Sequence, residues 1–127
     1  MRLFLVRHAE AAPGDPDDLR PLTPAGRDAA RELGERLAVH RPDAVVTSPL
    51  LRARETADLI ARACQLEATT DDNLAPGATT DALREATNGK GEIVVAIGHQ
   101  PDCSEIALAL TGQEVRFPPA GVEELEL

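Results

Sequence analysis

The 127-residue chain contains no tryptophan or tyrosine and only two phenylalanines. It therefore lacks the aromatic platforms on which nucleic-acid bases stack, and its core must be built from leucine, valine, isoleucine and alanine. Basic residues are also scarce, because 13 Lys and Arg stand against 22 Asp and Glu and give a net charge of −9. A surface of this charge repels nucleic acid and anionic membranes, so we exclude both as partners.

The chain also lacks long apolar runs, and it contains only two cysteines, which could form at most one bridge. No stretch approaches the roughly 18 apolar residues of a membrane helix, and Arg7 interrupts the first apolar run too early for a secretory signal. These features predict a cytoplasmic protein. The two cysteines, Cys64 and Cys103, fall on the apolar faces of predicted helices, where we expect buried free thiols.

Apolar runs and amphipathic segments alternate along the chain. The runs predict buried strands at 3–6, 44–46 and 93–97, a weaker strand at 66–70 and an edge strand at 121–127. Helix starts are predicted at Thr23–Pro24, Ser48–Pro49, Thr79–Thr80 and Pro101–Asp102. The sequence thus predicts one α/β domain over residues 1–127. We expect a three-layer sandwich, with a mostly parallel sheet of four to five strands and helices on both faces.

Basic side chains follow the predicted strands at the points where the strands end. Arg7 and His8 come directly after the first strand, His99 follows the strand at 93–97, and Arg52 lies shortly after the strand at 44–46. Because the carboxyl ends of parallel strands meet at one edge of a sheet, we expect these four side chains to converge.

The converging residue types are those that handle a phosphoryl group. Guanidinium groups match phosphate oxygens in a bidentate manner, and a neutral imidazole can attack phosphorus while a second, protonated imidazole stabilises charge. Arg52 lies in the first turn of its predicted helix, where a cation gains nothing from the helix dipole. An anion bound at the same place would explain this position.

The ordered motifs resemble those of the histidine phosphatase superfamily, also called phosphoglycerate-mutase-like. They are Arg7-His8-Ala9-Glu10, Leu22-Thr23 with Gly26, Ser48-Pro49 with Arg52, Glu55 and Thr56, and Gly98-His99 with Pro101. The short chain and the segment Arg20-Pro21-Leu22-Thr23 are most similar to SixA-type phosphohistidine phosphatases. In one departure, Ala9 replaces a glycine, which costs about 1 kcal/mol or more only where the backbone requires a positive φ.

The resemblance implies a role for each converging residue. His8 would be the nucleophile that accepts the phosphoryl group, and Arg7, Arg52 and His99 would form the phosphate pocket, with His99 as a second catalytic residue and with no metal and no cofactor. The chemistry itself requires a neutral His8 and favours a charged His99. Larger relatives carry a glutamate as general acid in a segment that corresponds loosely to 71–77, where this chain has no equivalent. The remaining candidates for this acid are Asp72, Glu10 and Asp102.

The missing acid favours a particular substrate. An alkoxide leaves poorly without a proton, whereas the imidazole of phosphohistidine can leave already protonated. We therefore predict a metal-independent phosphatase that removes phosphate from phosphohistidine in proteins. The alternatives are a broad-specificity phosphatase for small phosphate esters and a non-catalytic phosphoprotein-binding module. A metal site of His8, His99 and Glu10 is a further alternative, although two nearby arginines would repel a cation.

Overall fold

The computed structural model describes residues 1–127, which form one five-stranded sheet with four helices. The strands are β1 (Arg2–Arg7), β2 (Ala44–Thr47), β3 (Ala68–Thr70), β4 (Ile93–Gly98) and β5 (Val122–Glu126). Their order in the sheet is β3-β2-β4-β1-β5. All neighbours are parallel except β5, which runs antiparallel to β1 at the edge. The predicted α/β fold with a mostly parallel sheet is confirmed.

Helices cover both faces of the sheet. They are α1 (Pro24–Ala38), α2 (Leu51–Ala63), α3 (Thr80–Thr87) and α4 (Asp102–Thr111). Successive side chains of β1 point to opposite faces, so Leu3 and Leu5 pack in a cluster with α3 and α4, whereas Phe4 and Val6 pack with α1 and α2. The continuous apolar run of β1 therefore serves two cores, as expected for a central parallel strand.

Three of the four helices begin where the sequence predicts, at Pro24, Thr80 and Asp102. The side chain of Thr23 accepts a hydrogen bond from the Gly26 amide at the start of α1. The predicted start of α2 at Ser48–Pro49 is wrong, because α2 begins at Leu51. The Ser48 hydroxyl accepts the amide of Leu50, only two residues on, and so forms a tight turn before the helix.

The two cysteines differ in their surroundings. Cys103 lies in the first turn of α4 and is buried in the cluster that contains Leu3 and Leu5. Burial raises the pKa of its thiol to about 12. Cys64 is a free thiol that ends α2 and is only half-buried, so the prediction of a buried thiol is wrong at this position. No helix of the structure has the length and apolar character needed to cross a membrane.

Candidate active site

The site lies at the carboxyl ends of the two central strands. Arg7, the last residue of β1, is in register with Gly98, the last residue of β4, so His8 and His99 follow side by side. Their ring centroids are 5.2 Å apart. The structure brings all four predicted residues into one pocket of about 360 Å³, whose lining is Arg7, His8, Glu10, Ala11, Arg20, Arg52, His99, Gln100 and Pro119.

A hydrogen bond to the main chain fixes the orientation and the tautomer of His8. Its Nδ1 lies 2.7 Å from the carbonyl oxygen of Ala9, which can only accept, so Nδ1 donates the proton. Burial, followed by the charges of Arg52 and Arg7, lowers the pKa of His8, although the bond to Ala9 opposes this shift. The ring is therefore held neutral, with an unprotonated Nε2 that has the lone pair a nucleophile needs.

His99 is also held neutral, which corrects one expectation. Burial lowers the pKa of His99 to about 4, the charge of Arg52 acts in the same direction, and a proton on His8 would lower it further. The predicted positive charge on His99 is therefore wrong for this structure. The residue is only 3% exposed, its Nε2 lies 2.7 Å from the Ser48 hydroxyl oxygen, and its Nδ1 has no partner in the protein.

Three guanidinium groups line the pocket, one more than predicted. Arg7 donates to the carbonyl oxygen of Phe117 at 3.0 Å, while its buried Nε has no partner. Arg52 is 8% exposed and donates to the carbonyl oxygen and the carboxylate of Asp17, at 2.9 and 3.2 Å. Arg20 donates to the same carboxylate at 3.0 Å. Asp17 thus connects two of the three arginines.

Arg20 and Asp17 were not singled out as site residues by the sequence. They belong to a loop rich in proline and aspartate, where a single charged residue carries no structural signal. The one indication was the position of Arg20 in the segment that resembles SixA-type proteins. An isolated bridge between Ala11 and Leu22 closes this loop, and within it Arg20 donates to the carbonyl oxygen of Ala12 at 2.8 Å and lines the pocket.

Ala9 fits its position without backbone strain. It is not among the non-glycine residues with a positive φ, so its methyl group has no conformational cost. The side chain is fully buried in a small cluster with Leu22, Ala30 and Leu59, and its amide donates to the hydroxyl of Thr56 at 3.0 Å. Alanine therefore stabilises the turn after His8 by packing.

Only one of the three candidate acids lines the pocket. Asp102 is buried, and its carboxylate accepts the amides of Gly77 and Ala78, so it anchors a loop. Asp72 lies in a short 3₁₀ turn and is not part of the pocket lining. Glu10 does line the pocket, and its carboxylate accepts the Thr23 hydroxyl at 2.7 Å. No three His, Cys, Asp or Glu side chains are arranged to hold a metal ion.

Two neutral imidazoles and three guanidinium groups thus lie together in a pocket at the carboxyl ends of the parallel strands. This arrangement defines an α/β protein with a pocket for a tetrahedral oxyanion. The chain belongs to the histidine phosphatase superfamily (branch 1), whose family model matches residues 3–92. Members of this superfamily are phosphatases.

The chain is also similar to individual proteins. The chain is 34% identical to an uncharacterized protein of Picosynechococcus, over 96% of this chain and 82% of that protein. It is 38% identical to the mitochondrial serine/threonine-protein phosphatase Pgam5 of Drosophila persimilis, over 58% of this chain, but it spans only 26% of that protein. Among solved structures, the protein histidine phosphatase SixA complexed with tungstate superimposes with a TM-score of 0.88 and 27% identity, covering 100% of this chain and 88% of that one.

Proposed function

We propose that this protein is a metal-independent phosphatase that transfers the phosphoryl group of its substrate to His8. The bond from His8 Nδ1 to the Ala9 carbonyl carries this proposal, because it leaves Nε2 as the free nucleophilic atom in a pocket with three guanidinium groups. In this proposal Arg7 and Arg52 bind the phosphoryl oxygens, and His99 is the second catalytic residue.

The reaction proceeds in two displacements. Nε2 of His8 forms a bond to phosphorus while the bond to the leaving group breaks, and the leaving group departs with the bonding electrons. Water then attacks the phosphohistidine, which releases phosphate and regenerates the imidazole. The arginines balance the charge on the phosphoryl oxygens in both steps, since phosphoryl transfer depends mainly on positioning and charge stabilisation.

We propose phosphohistidine in a protein as the substrate. Among the residues that line the pocket, Glu10 is the one carboxyl group, and it is engaged by Thr23. A leaving imidazole that is already protonated needs no such acid. The similarity to SixA, which is described as a protein histidine phosphatase, supports the same choice.

A broad-specificity phosphatase for small esters is the alternative. It is favoured by the presence of Glu10 in the pocket lining, because this carboxyl group could protonate an alkoxide if the hydrogen bond from Thr23 opened.

The His8→Ala variant tests the mechanism. With an aryl phosphate, whose leaving group needs little acid help, we expect the variant to lose essentially all turnover, while the wild type yields an acid-labile phosphoenzyme. His40→Ala is the matched control, because His40 packs against Phe4 with ring centroids 4.8 Å apart and does not line the pocket. Turnover that persists in His8→Ala would contradict the proposal, and phosphate binding without any turnover in the wild type would favour a binding module.

A comparison of kcat/KM values tests the substrate. We expect a protein that carries phosphohistidine to exceed every member of a panel of sugar and glycerate phosphates. If a small ester matched or exceeded the phosphoprotein, the broad-specificity alternative would replace the proposal. The chemistry assigned to His8 would be unaffected by that result.

A further inference from the structure

Ser48 lies directly behind the pocket and has no role in the mechanism so far. It is fully buried between the end of β2 and the start of α2. Its amide donates to the carbonyl oxygen of Ile97 at 3.1 Å, which ties its position to β4, the strand that carries His99. Its hydroxyl oxygen lies 2.7 Å from Nε2 of His99.

The direction of this hydrogen bond follows from the other partners of the Ser48 hydroxyl. The oxygen already accepts the amide of Leu50 at 3.3 Å, and the hydroxyl proton has no acceptor other than Nε2 of His99. If Ser48 donates to Nε2, the only polar atom of the pair left without a partner is Nδ1. If His99 donates instead, both Nδ1 and the serine proton are left unsatisfied in a buried position, which costs more.

We propose that Ser48 is a positioning residue that fixes the tautomer of His99, with the proton on Nδ1. His99 then offers a neutral N–H to a phosphoryl oxygen, a consequence that rests on the proposed function. Nδ1 is buried and without a protein partner in a residue that lines the pocket, and a buried donor of this kind requires an acceptor. Ser48 itself is not among the pocket-lining residues.

The tautomer matters because the pocket receives an anion. A proton on Nδ1 presents a donor to the phosphoryl oxygens, whereas the opposite tautomer presents a lone pair and repels them. The low pKa of His99 makes the choice of tautomer important, because the neutral ring has only one proton to place. Fixing the ring before the substrate binds avoids the cost of reorganisation during the reaction.

Long-range ¹H–¹⁵N spectroscopy of the wild-type protein at pH 7 tests the proposal directly. We expect the His99 Nδ1 signal at a protonated, pyrrole-type shift and the Nε2 signal at an unprotonated, pyridine-type shift. The reverse pattern, or averaged shifts for both nitrogens, would overturn the proposal. The measurement needs no turnover, so its outcome is independent of the His8→Ala test of the proposed function.

The Ser48→Ala variant tests the consequence for catalysis. We expect its kcat to fall by roughly 10- to 100-fold with little change in KM, because the donor is most important as charge develops in transfer. The His99 shifts should move towards the opposite tautomer in the same variant. Thr47→Val is the matched control, since it removes the neighbouring buried hydroxyl, which donates to the Ser48 carbonyl and not to His99. An unchanged kcat in Ser48→Ala, or an equal loss in Thr47→Val, would contradict the proposal.

Discussion

The neutral state of His99 predicts a specific loss of stability at mildly acidic pH. Burial and the neighbouring charges lower the pKa of His99 from about 6.5 to about 4. Between these two values the unfolded chain binds more protons than the folded protein, so the free energy of unfolding falls as the pH falls. The contribution of His99 is fully present above pH 6.5 and is lost as the pH approaches 4.

The magnitude follows from the two pKa values. At pH 5 the unfolded imidazole is almost fully protonated and the folded one almost fully neutral, which corresponds to a loss of about 2 kcal/mol relative to pH 7. The pKa of His8 is lowered as well, so its contribution has the same sign. A loss of this size is a substantial part of the stability of a small domain.

Denaturant unfolding at pH 7, 6 and 5 measures this effect in the wild type and in His99→Gln. The variant has no ionisable group at this position. Between pH 7 and pH 5 its free energy of unfolding should therefore fall by about 2 kcal/mol less than that of the wild type. The comparison concerns the slopes, and a uniform destabilisation of the variant does not affect it. Parallel profiles for the two proteins would refute the assignment of a low pKa to His99.

Three further predictions concern the pocket and its support. Arg52→Ala should lower kcat/KM by about 30- to 1,000-fold in a phosphatase assay, whereas Arg62→Ala, at the other end of α2, should not. Gly26→Ala should lower the free energy of unfolding by roughly 1–3 kcal/mol, because its methyl group would overlap the main chain of Glu10. The same change at Gly14 meets only an ordinary contact, so an equal loss there would contradict this reasoning. Activity should survive exhaustive chelation, and a loss that one divalent metal restores would revive the metal-site alternative.

The central strands and their polar ends were predictable because the signals are local. The apolar runs of β1 and β4 stop abruptly at Arg7 and His99, and the parallel arrangement of these strands then determines which side chains meet. The helix start at Thr23 was similarly clear, since threonine followed by proline is typical of such a position.

Contacts between distant side chains and main-chain groups were not predictable. Asp17 holds Arg52 across 35 positions of sequence, and Asp102 anchors Gly77 across 25, without any local pattern that marks either carboxylate. The prediction of a positive charge on His99 was wrong for a related reason. It was inferred from what the chemistry would use, whereas burial and the neighbouring cations determine it in the fold.

The position of β1 in the sheet determines when the pocket can form during synthesis. Its only strand partners are β4 and β5, which begin at Ile93 and Val122, whereas β2 and β3 can pair with each other earlier. The apolar strand β1 therefore has no partner in the sheet until β4 has been made. A nascent chain that ends before β4 has no second imidazole beside His8, so the phosphate pocket cannot be complete before β4 and His99 have been made.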